Sequence, residues 1–467
     1  MARFQRNFPI LLISSCLALS ACSNGQAQRL ATLNLPFLTP VSAIPAPDLS
    51  HDAWWTGFRD PVLDDLIRRG LQQNLSIREA RERVIAADAI ARSAGTVVSG
   101  DANAGLTRAD QAGDAPVNER RFDLGASWLL DFFGRARSER ENSRQSAEAR
   151  RADADNAALA FLGQLATAYI DLRFYETGIR LKTRDLASRR KTLEQTEALV
   201  RLGNATELDL AQARALLNTT QSEIPVLEAR ARAQQNRIAT LLAVPAGTLS
   251  LVAAGEQPAP RGGIPASITA NLVRGRPDVR SAEHSYAAAV ARIGVAEAEL
   301  YPSIRLGGSI TASNSAGVDT SGWSFGPTLT VPIFNRGRLY ANVDAAESGA
   351  REAHLAWQRT VLEGVNDVQS ALYALQKYNA AAGAAAGAVD QYTKSLDLSR
   401  TLAERGNITT LDLIDAERQI SDARETLSEA RRQVALQYVL LNVALGAGFA
   451  AGQPPAMASA VGEGPAN

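Results

Sequence analysis

The sequence predicts an internally duplicated, mixed α+β membrane protein. Its four strands per chain can close a β-barrel only with other copies, and its very long helices point to a coiled coil or a helical tube. Three observations carry the prediction. One architecture recurs at an offset of about 200 residues, two proline-free stretches each run for nearly 70 residues, and four segments of about 10–12 residues alternate apolar with polar side chains.

Composition narrows the class first. The 467 residues carry 49 basic and 49 acidic side chains; without Arg3 and Arg6 near the start, 47 basic remain against 49 acidic. That balance argues against nucleic acid as the main partner. Three histidines and two cysteines are too few for a zinc framework or a disulfide scaffold. A mean hydropathy of −0.12, with no internal apolar run of membrane-spanning length, excludes a helical polytopic protein. It leaves a β-barrel open, because alternating strands average out.

Residues 1–21 read as a signal peptide: Arg3 and Arg6 precede the apolar stretch from Phe8 to Ala21. Leu19-Ser20-Ala21-Cys22 resembles the bacterial lipobox, which makes Cys22 the acylated first mature residue. The alternative is ordinary secretion with cleavage near Ala27. Ser23 is not the Asp associated with inner-membrane retention, so outer-membrane sorting is expected. Residues 22–60, rich in Pro, Ala and Ser, read as a lipidated tether.

The duplication rests on three ordered matches. Leu75 to Ala80 matches Pro277 to Ala282, and Phe133, Arg135 and Arg137 match Phe334, Arg336 and Arg338. Leu199, Gly203, Asn204, Thr206, Leu208 and Asp209 match Leu402, Gly406, Asn407, Thr409, Leu411 and Asp412. This sets a first repeat at 61–245, a proline-rich linker at 246–265, a second repeat at 266–447 and a flexible tail at 448–467. Each repeat reads helix, strand, strand, very long helix, helix. The first helix is expected over 62–96, with Leu63, Leu66, Ile67 and Leu71 on one face. The long helices at 135–202 and 337–405 would each extend roughly 100 Å, which points to a coiled coil or a helical tube.

The strands decide between rod and channel. They are expected at about 97–108, 121–133, 302–313 and 322–334, closed by polar loops at 109–119 and 314–321. Alternate positions give Phe122, Leu124, Ala126, Trp128, Leu130 and Phe132, and again Trp323, Phe325, Pro327, Leu329, Val331 and Ile333. That is the length and pattern of a transmembrane β-strand, with Trp128 and Trp323 suited to the interface. The alternative is a small soluble sheet. Pro327 suits an edge or a bulge. Four strands cannot close a barrel, and an open edge is forbidden in lipid. Three copies would supply twelve strands and two would supply eight.

The chain resembles the outer-membrane factor family of tripartite efflux systems, the TolC-like channels, and within it the NodT-like lipoproteins. The resemblance rests on Trp54-Trp55 with Phe58, Asp60-Pro61 and Leu63; on Arg274 to Arg280 with Ala282-Glu283; on Ile293 to Ala296 running to Tyr301-Pro302-Ser303; and on Pro332-Ile333-Phe334. Tyr301 stands where the family signature often carries Phe. The resemblance implies a homotrimeric 12-stranded barrel in the cell outer membrane, continued by an α-helical periplasmic barrel. It also implies a passive exit duct for small molecules such as drugs, working with a periplasmic adaptor and an inner-membrane pump.

Such a duct needs a polar lumen, a lipid-matched band and a gate, but no nucleophile, metal or cofactor. His51, His284 and His354 are scattered, no Walker loop is present, and Gly307-Gly308 reads as strand glycine. The expected lipid-facing residues are Phe122, Leu124, Trp128, Leu130, Trp323, Phe325 and Leu329. Gly203-Asn204 and Gly406-Asn407 read as turns between antiparallel helices; the resemblance makes them adaptor contacts. Asp412 and Asp415, at i and i+3, can share one helix side and in a trimer form a periplasmic aperture ring, with Arg418 and Glu417 holding it closed through salt links. The alternative is that both acids only complement the helix dipole. Two other readings of the whole chain are export of polypeptides or polymers through the same duct, and a periplasmic coiled-coil lipoprotein with no pore.

Overall fold

The computed structural model describes residues 52–109, 117–249, 251, 256–261, 273–315 and 317–450. Cys22, the signal peptide and most of the tether lie outside the described residues. The repeat appears directly in the element order. The first copy is α1 (Pro61–Gln73), α2 (Leu75–Ser93), β1 (Val98–Ala109), β2 (Val117–Leu130), α3 (Arg135–Arg201) and α4 (Glu207–Leu241). The second is α5 (Pro277–Ala298), β3 (Ser303–Ser315), β4 (Val318–Thr330), α6 (Arg336–Glu404) and α7 (Thr410–Ala444). The long helices α3 and α6 have 67 and 69 residues, and α4 and α7 have 35 each. No described helix is long and apolar enough to cross a membrane.

The first helix is interrupted where one continuous element was expected over 62–96. Asn74 separates α1 from α2 with an extended ψ of 128°. Its side-chain oxygen accepts from Ile77 N at 3.1 Å and caps α2, while its amide donates to Leu241 O at 2.8 Å. Asn74 is buried, so both bonds answer polar atoms that would otherwise be left without partners.

Two compact units divide the chain. One contains Ile85–Ala149 and Ala282–Trp357 and holds the sheet. Its strands run in the order β1-β2-β3-β4, every neighbour antiparallel, leaving β1 and β4 as edges. The second strand of each hairpin lies earlier than expected. β2 starts at Val117 and ends at Leu130, and β4 starts at Val318 and ends at Thr330. At the start, Asn118, Glu119, Arg120 and Arg121 put polar residues on both faces, so alternation gives no signal although pairing continues from Ala109↔Val117. At the end, Asp131 belongs to the next helix: its carboxylate accepts from Ala136 N and Arg137 N, each at 3.1 Å. The expected loops shrink to match. The β3–β4 turn lies between the paired residues Ser315 and Val318, with Gly317 at φ +82°.

The other unit contains Ala43–Val84, Arg150–Ser281 and Gln358–Asn467. Its core joins Leu63, Leu66 and Ile67 of α1 to Leu162, Leu165 and Tyr169 of α3, Ile238 of α4 and Val439 of α7. The boundary of the tether moves as a result. Trp54, Trp55 and Phe58 are buried in this core, with Trp54 Nε1 donating to Ala447 O at 3.2 Å and Tyr438 donating to Trp54 O at 3.2 Å. The Asp60 side chain caps α1 through Val62 N and Leu63 N. The C-terminal tail is likewise shorter than 448–467 at its start, because Phe449 and Ala450 are buried in the same core.

Candidate channel wall, helix turns and aperture residues

Register places the apolar side chains on one face. Ala102, Leu124 and Ile310 are opposed across β1, β2 and β3, and Ile310 opposes Trp323 on β4. Trp128 pairs with Val98 and Leu306, Phe122 with Ala104 and Ala312, and Phe325 with Gly308. Leu130 and Leu329 both pair with Ile304. Six of the seven expected lipid-facing residues are exposed in the single chain, Trp323 at 81%; Leu130, beside the helix entry, is half-buried. From Phe122 to Leu130 the band is about 27 Å along the strand, and about 21 Å after a 40° tilt. The opposite face carries Asp101, Asn103, Arg121, Asp123, Thr311 and Ser324. There Arg121 Nε donates to Asp123 at 2.8 Å, and Thr311 donates to the same carboxylate at 2.9 Å. Pro327, on the edge strand, interrupts no pairing on the β3 side.

The two helix turns are the same motif twice. Gly203 and Gly406 have φ of +72° and +71°, the left-handed conformation that favours glycine. Asn204 N donates to Leu199 O at 2.8 Å and Asn407 N to Leu402 O at 2.9 Å, with Gly203 N and Gly406 N bonding Val200 O and Ala403 O at 3.0 Å. These are Schellman caps. Thr206 and Thr409 then open α4 and α7 with capping boxes closed by Asp209 and Asp412.

That second box assigns Asp412 a local role. Its carboxylate accepts from Thr409 Oγ1 at 2.7 Å and Thr409 N at 2.9 Å, and these bonds hold its pKa below the usual carboxylate value. Asp209 is held down in the same way by the Thr206 backbone and hydroxyl. Asp415, whose counterpart is Gln212, is the acid added in the second repeat; it accepts from Gln419 at 2.7 Å. Asp412, Asp415 and Arg418 are all exposed at three-residue spacing, while Leu413, Ile414, Ala416 and Glu417 are buried. Within one chain, Glu417 forms an ion pair with Arg400 at 3.8 Å. Glu417 turns inward, accepting from Ser188 at 2.5 Å and Thr192 at 3.1 Å, and Arg418 makes no ion pair among the described residues.

Residues 66–244 and 270–447 match the Outer membrane efflux protein family. The chain belongs to that family. It is 39% identical to Nodulation protein T of Rhizobium leguminosarum bv. viciae over 417 residues, covering 87% of this chain and 86% of that protein. It is 30% identical to the pyoverdine export outer membrane protein OpmQ of Pseudomonas putida over 465 residues, covering 95% and 98%. Among solved structures, the outer-membrane channel OprN superposes with a TM-score of 0.78 at 28% identity, covering 87% of this chain and 94% of that one. The fold class is therefore the one the sequence predicts: four strands per chain in a trimeric twelve-stranded barrel, continued by an α-helical barrel. The protein is an outer-membrane efflux duct and not an enzyme.

Several family-bearing residues turn out to be structural. Arg276 donates from Nη1 to Ala444 O at 2.7 Å, at the end of α7, and pairs with Asp278 through Nε at 3.0 Å and Nη2 at 2.7 Å. Tyr301 stacks on Phe133 with ring centroids 4.7 Å apart, packing that a phenylalanine would supply equally. Sequence reasoning missed Asn74 and the inward partners of Glu417, Ser188 and Thr192, because single polar residues among the many polar positions of these helices carry no periodic signal.

Proposed function

We propose that this duct carries small molecules, drugs among them, out of the cell, as a homotrimer joined to a periplasmic adaptor and an inner-membrane pump. The observation that carries the reading is a four-stranded sheet with one apolar face, one polar face and two unpaired edges. Lipid forbids free edges, so β4 of one copy pairs with β1 of the next and the polar faces line a lumen. Phe122, Leu124, Trp128, Leu130, Trp323, Phe325 and Leu329 then face lipid. The name of the OpmQ relative, a pyoverdine exporter, favours small cargo over polypeptide. Purified protein should conduct ions in planar bilayers, which a rod would not. Deleting the gene should make cells retain small amphipathic dyes while leaving secreted proteins unchanged; the reverse pattern would assign the duct to polypeptide export.

The remaining assignments follow from that reading. Cys22 carries the lipid anchor, so Cys22→Ala should lose palmitate label while the barrel keeps the protein in the membrane. Gly203-Asn204 and Gly406-Asn407 meet the adaptor. Because an added Cβ at either glycine is strained by backbone angle alone, the clean probes are Asn204→Cys and Asn407→Cys. Both should crosslink to the adaptor, whereas a cysteine at Arg151 should not.

A further inference from the structure

A pocket of about 150 Å³ between α3, α6 and α7 is not used by the duct mechanism. Four arginines line it: Arg184 and Arg189 from α3, Arg400 from α6 and Arg424 from α7. The acids beside them are engaged mainly by hydroxyls. Asp185 accepts from Ser421 at 2.6 Å, and Glu417 Oε1 takes Ser188 and Thr192. The ion pairs are looser, Arg424 to Asp185 at 3.7 Å and Arg400 to Glu417 at 3.8 Å. Asp397, a third acid on the lining, is exposed. Arg184 and Arg189 make no ion pair among the described residues.

Two buried atoms there point to a ligand. Arg189 is 5% exposed; one of its amino groups reaches Leu216 O at 3.4 Å, and its Nε has no hydrogen-bond partner among the described residues. Glu417, also 5% exposed, leaves Oε2 without a partner. One is an unmet donor and the other an unmet acceptor, and unmet buried groups of this kind are rare. The Arg424 guanidinium is held below the usual arginine value, by burial first; Asp185 opposes the effect, and Arg184 and Arg400 add to it by like-charge repulsion.

Planar guanidinium forks match tetrahedral oxyanions. A fully deprotonated oxyanion such as sulfate would satisfy Arg189 but set oxygen against oxygen at Glu417. An oxyanion that keeps a proton satisfies both, accepting from the arginines and donating its hydroxyl to Glu417 Oε2. Inorganic phosphate keeps a proton at neutral pH; a phosphomonoester, whose second pKa is about 6, has largely lost its own. We propose that this pocket binds inorganic phosphate in its protonated form, held by Arg189 with Arg424 and selected by Glu417.

The test uses the full-length trimer in detergent at pH 7, titrated at constant ionic strength with sodium phosphate, sodium sulfate or glycerol phosphate. Phosphate alone should bind saturably and raise the melting temperature by several degrees. Arg189→Gln should weaken that binding at least tenfold. Glu417→Gln turns an acceptor into a donor, so sulfate should then bind as well as phosphate, a gain that loss of folding cannot mimic. Arg189→Lys, which keeps the charge, covers the case in which the glutamine variant does not assemble. Absence of saturable phosphate binding, equal binding of sulfate by the unmodified protein, or preference for the monoester would each overturn the proposal.

Discussion

Asp209 and Asp412 occupy equivalent positions in the two repeats and make equivalent bonds, each closing a capping box with the threonine three residues before it. Their folded pKa values lie below the ordinary carboxylate value of about 3.9. Groups shifted in this direction stabilise the fold above the unfolded value and lose that contribution as pH falls through the folded one. The first turns of α4 and α7 should therefore hold from neutral pH to about 4 and fray below it. A nitroxide label on a cysteine at Arg405, which is exposed beside the second turn, should become mobile in that window. Asp412→Asn retains an acceptor oxygen without the charge, so its label should respond much less to acid. An identical response in both proteins would remove the capping box as the cause.

The strands set the test at the level of the element. Leu124 lies within the apolar band, opposite Ala102 and Ile310, whereas Ser309 lies on the other face and shares a hydrogen bond with Ser324 at 2.9 Å. An arginine on the lipid face near the midplane costs about 2–4 kcal/mol, and a lumen substitution costs little. Leu124→Arg should thus cut the yield of assembled protein, and Ser309→Arg should assemble normally and alter ion conductance. Equal yields would mean that the apolar face is not in lipid. What the sequence made legible follows the same physics. The long helices were placed to within a residue or so, because the absence of proline and the glycines at their ends mark them locally. The strand starts at Val117 and Val318 were not legible, since polar residues stand on both faces there and only backbone pairing continues. Trp54 and Trp55 read as tether because the segment leading up to them is rich in Pro, Ala and Ser. Their burial depends on Tyr438 and Ala447, almost 400 positions away, and no local pattern reports a contact at that range.

Across the whole molecule, we propose that three copies turn a local pair of acids into a periplasmic aperture ring. Asp412, Asp415 and Arg418 are exposed on α7, available to the axis of a trimer, while the residues between them are buried in their own chain. The aperture proposal depends chiefly on Asp415, since the capping box already accounts for Asp412 and recurs at Asp209, where no doubled acid follows. Six carboxylates around one opening would favour and retain multivalent cations. Replacing both aspartates confounds two effects, because Asp412→Ala also removes the partner of the Thr409 cap at the start of α7. Asp415→Asn separates them: it removes three charges from the ring and leaves the cap intact. In single-channel recordings, a trivalent cation added from the periplasmic side should block the unmodified channel. Asp415→Asn should resist that block, with its open conductance and assembly unchanged. Arg418→Gln, which removes the positive charge beside the same ring, should be blocked at lower cation concentration. Equal block in all three proteins would place these residues away from the pore, and α7 would then carry its acids only for the helix start.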